Sequence, residues 1–139
     1  MRYSKFSNIT IGRDDHPDSL FKQFDFFVVG SDQVWKPHYY FFAGKCDFFT
    51  FSKDSQKISY VASFGVSEKS PERKEEYAEY LKSFKTISVK ENQEVRIVKD
   101  LADREATVVL DPTLLLDEND WRKVEKKSYC CPRHKYVFI

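Results

Sequence analysis

The stretch from Asp25 to Trp35, Asp-Phe-Phe-Val-Val-Gly-Ser-Asp-Gln-Val-Trp, constrains this chain more than any other. Phe26 to Val29 is a short, continuous apolar run of aromatic and β-branched residues. Such a run predicts a strand buried on both faces. It stops at Gly30 and gives way at once to Ser31, Asp32 and Gln33. In open α/β sheets, ligands are held beyond the carboxyl ends of the strands. Gly30 lets the backbone approach another group closely, and three short polar side chains come directly after it. The same residues also suit a plain turn in which an Asp caps the next helix. Taken alone they leave both readings open.

The rest of the chain repeats the pattern. Lys57 to Phe64 predicts a second strand, ending at Ser63-Phe64-Gly65. Ser70-Pro71 has the form of a helix start, and Tyr77, Ala78, Leu81 and Phe84 recur after it at helical spacing. Thr86 to Val89 predicts a third strand ending at Lys90-Glu91, and Glu94 to Ala102 a helix with Val95, Val98 and Leu101 on one face. Thr107 to Leu110 predicts a fourth strand, which Asp111-Pro112 stops. Asp117 is placed to cap a further helix, with Trp121 and Val124 facing inward. Strands that alternate with helices predict an α/β fold: a Rossmann-like parallel sheet with flanking helices and one functional edge.

Composition narrows the function. With 139 residues the chain suits one domain with a sizeable core. A formal net charge of +1 gives no field directed at nucleic acid. No apolar run approaches the length of a membrane span, and the N-terminus has no apolar signal segment, so a cytoplasmic location is expected. Cys46, Cys130 and Cys131 lack the spacing of a zinc site, and reduced thiols without a metal are expected. Aromatics are 17% of the chain. Those between Tyr39 and Phe51 suit either a core or a surface that meets a partner.

Four strand ends thus carry polar residues in order. The stretches Phe-Val-Val-Gly-Ser-Asp-Gln-Val-Trp, Ile-Ser-Tyr-Val-Ala-Ser-Phe-Gly, Ile-Ser-Val-Lys-Glu and Val-Leu-Asp-Pro-Thr-Leu-Leu-Leu, followed by Trp121, together resemble the polysaccharide pyruvyl transferase family. The resemblance runs from about Leu20 to Trp121. It implies the N-terminal half of a two-domain enzyme of the GT-B type, truncated at both ends. Residues 1–128 would be the partial Rossmann-like domain, and 129–139 a linker and the first strand of a missing second domain.

What the resemblance implies chemically is a transferase that moves a pyruvyl group from phosphoenolpyruvate to a saccharide, with no cofactor and no metal. The acceptor would belong to a polysaccharide or cell-surface glycan, and a glycan-lipid acceptor would bring the enzyme close to a membrane. Asp32 is the expected catalytic residue. Gly30, Ser31, Gln33, Trp35, Ser63, Phe64, Gly65, Lys90, Glu91 and Asp111 are the expected substrate-binding residues. The family favours Arg at the position of Lys90 and Asn at that of Lys36; Lys lacks the bidentate fork of Arg. For Glu91 and Asp111 an ion pair and a turn cap are the competing roles. The fragment alone is expected to be inactive and prone to self-association. The other readings are a non-catalytic sugar- or partner-binding α/β module and a nucleotide-sugar glycosyltransferase of similar architecture.

Overall fold

The computed structural model describes residues 9–11, 17, 19–37, 44–65 and 73–126. Four strands form one sheet in the order β1 (Phe27–Val29), β2 (Lys57–Ala62), β3 (Thr86–Val89) and β4 (Thr107–Val108). Every pairing is parallel. Helix α1 (Lys74–Lys82) carries the chain from β2 to β3, α2 (Asn92–Ala102) from β3 to β4, and α3 (Glu118–Val124) comes after β4. This is the Rossmann-like α/β arrangement that the alternating pattern predicts.

Parallel neighbours need crossover connections, and successive crossovers of the usual right hand fall on the same face of a sheet. Accordingly α1 and α2 pack against each other. The core lies beneath them. Val29, Ile87 and Val89 from the strands meet Tyr77 and Leu81 of α1 and Ile97, Val98 and Ala102 of α2. Each fully buried Leu, Ile or Val of this set contributes about 1.5–3 kcal/mol. Arg104 closes the layer by donating to the carbonyls of Lys82 (2.6 Å) and Phe84 (2.7 Å), which the end of α1 leaves without helical partners. Asp103, in the left-handed region at φ 52°, terminates α2.

The opposite face is more open. Val28 is 58% exposed, so β1 is not buried on both faces as its composition predicts. It is the outermost strand of the described sheet, paired with β2 alone. Other expectations also change. β4 has two residues rather than four. Asp117 does cap α3, accepting from the Asp120 amide at 2.9 Å. Trp121, however, is 42% exposed rather than facing inward, and α3 buries none of its residues. The start at Ser70-Pro71, the segment 38–43 and Cys130 to Ile139 lie outside the described residues.

Much of the aromatic content is core rather than surface. Trp35 is 0% exposed. It stacks on Phe48 with ring centroids 5.8 Å apart and meets Phe64 and Phe84 at 5.3 and 5.5 Å. Its indole N–H donates to the Asp47 carbonyl, and its own carbonyl accepts from the Tyr77 hydroxyl at 3.1 Å. Phe51 is buried as well. The described part of the aromatic stretch therefore holds β1 and β2 to α1.

One irregularity shapes the functional edge. The register of β2 against β3 shifts between Ser59 and Ala62, and Val61 sits at φ 55°. The ladder bonds disturbed there are replaced by serines. Ser88 Oγ donates to the Ser59 carbonyl and accepts from the Val61 amide, while Ser59 Oγ accepts from the Ser88 amide and donates to the Ser88 carbonyl. A bulge of this kind bends a strand and re-aims the residues beyond it. Here it re-aims Ala62-Ser63-Phe64-Gly65, the exit of β2.

Candidate functional site

The carboxyl ends of β1, β2 and β3 surround a cleft of about 250 Å³, lined by Asp32, Gln33, Ser63, Gly65, Lys90, Glu91, Gln93 and Glu94. Six of these residues are expected from the sequence, drawn from three separate strand ends.

The β1 exit is built by backbone fit. A Cβ on Gly30, at φ +128°, would stand 1.9 Å from the Tyr60 carbonyl oxygen, so only glycine passes here. The chain then runs beside the β2 exit. The Asp32 carbonyl accepts from the Ser63 amide at 2.8 Å, and the Ser63 carbonyl from the Trp35 amide at 3.0 Å. Asp32 itself lies at φ 76°, a region Asp tolerates better than most residues. Its carboxylate is exposed and takes no partner among the described residues. Gln33 Oε1 accepts from Lys36 Nζ at 3.1 Å, and its side chain crosses Gly65.

At the β2 exit, Ser63 Oγ accepts from the Gly65 amide at 3.0 Å. Gly65 thus turns bare backbone, rather than an unengaged N–H, toward the cleft. At the β3 exit, Lys90 Nζ lies 3.4 Å from Asp111 Oδ2. Asp111 also accepts from the Thr113 hydroxyl (2.7 Å) and amide (3.0 Å) through Oδ1. The Thr113 hydroxyl foremost, then its amide and the Lys90 ammonium, hold the Asp111 carboxyl below the ordinary aspartate range. Asp111 therefore makes the ion pair and the turn cap together, beside the cleft rather than in its lining. Glu91 faces the cleft and accepts from Gln93 Nε2 at 2.9 Å. Gly30 and Ser31 lie outside the lining, and the rings of Trp35 and Phe64 point into the core.

Glu94 is the residue that sequence reading passes over as an ordinary helix start. It is 2% exposed. Its Oε1 accepts from the Phe64 amide (3.1 Å), and its Oε2 from the amides of Lys90 (3.0 Å) and Glu91 (3.1 Å). The signal that marks it is a Glu three residues after the residue that opens the helix, the spacing of a capping box. Its reach back to Phe64 has no local signature.

Among the described residues the cleft is lined by the carboxylates of Asp32 and Glu91, the amides of Gln33 and Gln93, the ammonium of Lys90, and Glu94, whose carboxylate is already engaged by backbone N–H groups. Such a set is rich in acceptors for hydroxyl groups and offers an anion a single charged contact. Two larger grooves, about 570 and 770 Å³, meet at Lys45 and Tyr80. The first is lined by Lys57 at the start of β2 and Ser83 at the end of α1, at the opposite edge of the sheet from the polar strand ends. They mix lysines and carboxylates without the converging strand ends of the cleft. No described helix is long and apolar enough to cross a membrane.

An open parallel α/β sheet with a polar cleft at its strand ends defines a ligand-binding class of fold. Within that class, the family model for polysaccharide pyruvyl transferase matches residues 1–139, and the chain belongs to that family. No curated protein and no solved structure matched the chain at a significant level.

Proposed function

We propose that this chain supplies one wall of a pyruvyl transferase site that joins a phosphoenolpyruvate-derived pyruvyl group to a saccharide. The observation that carries the reading is the convergence of Asp32, Gln33, Ser63, Gly65, Lys90 and Glu91 on one cleft, from three strand ends far apart in sequence. In the proposed reaction a proton adds to the methylene carbon of phosphoenolpyruvate, and positive charge develops at the adjacent carbon. A sugar hydroxyl oxygen attacks that carbon and gives up its proton. A second hydroxyl then forms the second C–O bond as the phosphate C–O bond breaks. One hydroxyl proton balances the new methyl group and the other leaves with phosphate.

Asp32 is the residue suited to accept a hydroxyl proton, because its exposed carboxylate faces the cleft unpartnered among the described residues. Gln33 and Glu91 supply acceptors for further hydroxyls. Lys90 supplies the one cationic contact for an anionic donor among the described lining residues, and we assign the remaining positive charge to a second wall contributed by a further domain. With phosphoenolpyruvate as the proposed donor, we assign the reaction to the cytoplasm.

The test is to incubate the full-length protein, in which this chain is joined to that second wall, with phosphoenolpyruvate and a panel of methyl hexosides and to follow phosphate release together with the new ketal methyl signal by NMR. Coupled appearance of both, lost in Asp32→Asn, supports the reading. Sugar transfer from a nucleotide sugar under the same conditions replaces it with a glycosyltransferase. Saccharide binding with no donor consumed replaces it with a binding module.

A further inference from the structure

We propose that Glu94 is the positioning residue of the cleft. Its buried carboxylate fixes the spacing between the β2 and β3 exits, and so sets where Lys90 stands relative to Ser63 and Gln33. The proposal gives a structural basis to the transferase reading above and rests on it where ligand affinity is concerned.

An ionised carboxylate that is 2% exposed is costly unless its lone pairs are met. Here three backbone N–H groups meet them, from two different strand exits. The bonds to Lys90 and Glu91 are local and belong to the start of α2. The bond to Phe64 spans 30 residues of sequence and joins the loop after β2 to the loop after β3. The residues it joins flank the ones that face the cleft: Ser63 and Gly65 on one side, Lys90 and Glu91 on the other.

A cap and a bracket differ in what they tolerate. Gln serves as well as Glu at the third helical position of a capping box. A bracket with donors on both oxygens does not accept Gln, because its NH₂ group must face either the Phe64 amide or the Lys90 and Glu91 amides. Glu94→Gln therefore keeps size and helix propensity and breaks only the bracket.

The experiment compares wild type, Glu94→Gln and Val98→Ala, the last a core variant away from the cleft. Amide exchange is read by NMR, and phosphoenolpyruvate affinity by titration well below the melting temperature of each. The bracket predicts that Glu94→Gln speeds exchange at Phe64 by about tenfold or more, leaves Val89 unchanged, and weakens affinity by roughly 10–100-fold, as loss of a group that orients a ligand contact does. Val98→Ala lowers stability without changing affinity. Unchanged exchange at Phe64, or equal loss of affinity in both variants, overturns the proposal. If wild type does not bind phosphoenolpyruvate, the transferase reading fails, and the exchange comparison alone decides the bracket. If Glu94→Gln does not fold, the wild-type chain decides it. A through-hydrogen-bond coupling from the Phe64 amide to the Glu94 carboxyl carbon supports the bracket, and its absence overturns it.

Discussion

Gln33 lies across Gly65 so closely that a Cβ on the glycine would stand 2.6 Å from Gln33 Cδ. The two residues come from different strand exits, and the contact seats an amide against bare backbone at the mouth of the cleft. Gly65 is also at φ +60°. Gly65→Ala is expected to cost about 1–2 kcal/mol from the left-handed backbone and to push the flexible Gln33 side chain off its place. A thermal melt and a ligand titration read the two effects separately. Affinity that stays at the wild-type value would show that the Gln33 position does not matter.

Gly30 makes a harder prediction. The atom that a new Cβ meets there is the Tyr60 carbonyl, 1.9 Å away, which is backbone and cannot swing aside. Gly30→Ala should cost at least about 3 kcal/mol, a large share of a typical domain's stability. Chemical denaturation checks it; a loss below about 1 kcal/mol would show that β1 can shift freely against β2.

Trp35 belongs to the core and not to the cleft. Trp35→Phe removes its indole bond to the Asp47 carbonyl and leaves a gap among Phe48, Phe64 and Phe84. A loss of roughly 1–3 kcal/mol is expected, short of the 3–5 for truncation to Ala. Saccharide or phosphoenolpyruvate affinity should not change. A variant that folds normally and loses affinity would return Trp35 to the ligand.

Two aspartates respond to pH in opposite senses. Burial pushes the Asp47 carboxyl up to about 6. Its charged form is therefore disfavoured in the fold, and its cost appears as pH rises from the ordinary aspartate value, about 3.8, through about 6. Asp47→Asn should raise stability at pH 7.5 by roughly 1–3 kcal/mol and change little at pH 4. Asp111 is held low by Thr113 and Lys90. Its contribution is present above the ordinary aspartate value and is lost as pH falls through the lowered one. Asp111→Asn should therefore lower the melting temperature at pH 7.5, with the difference fading in acid. Melting curves of both variants across this range check the two signs, and a shift of the same sign in both would contradict the assignment.

The strand exits were legible because each combines a short apolar run with Gly or a small polar residue, a pattern local to a few positions. Thr86 to Val89 and the lining residues Asp32, Gln33, Ser63, Gly65, Lys90 and Glu91 emerge from it directly. The exposure of Val28 and Trp121 did not, because an apolar run does not say whether a helix covers it. The core position of Trp35 was hidden for a related reason. An aromatic ring beside a polar turn reads alike whether it faces ligand or core. Glu94 was missed because its decisive bond reaches Phe64, a long-range contact with no pattern in the sequence.

The central claim is that the cleft at the ends of β1, β2 and β3 meets the donor through Lys90. The direct measurement is a titration of the isotope-labelled protein with phosphoenolpyruvate, tracked residue by residue in NMR spectra. The account predicts shifts at Asp32, Gln33, Ser63, Gly65, Lys90 and Glu91, with none at Thr50 or Lys82 in the distant groove, and their loss in Lys90→Ala. Shifts that appear only around Thr50 and Lys82, or a cleft that responds to a nucleotide sugar and not to phosphoenolpyruvate, would contradict it.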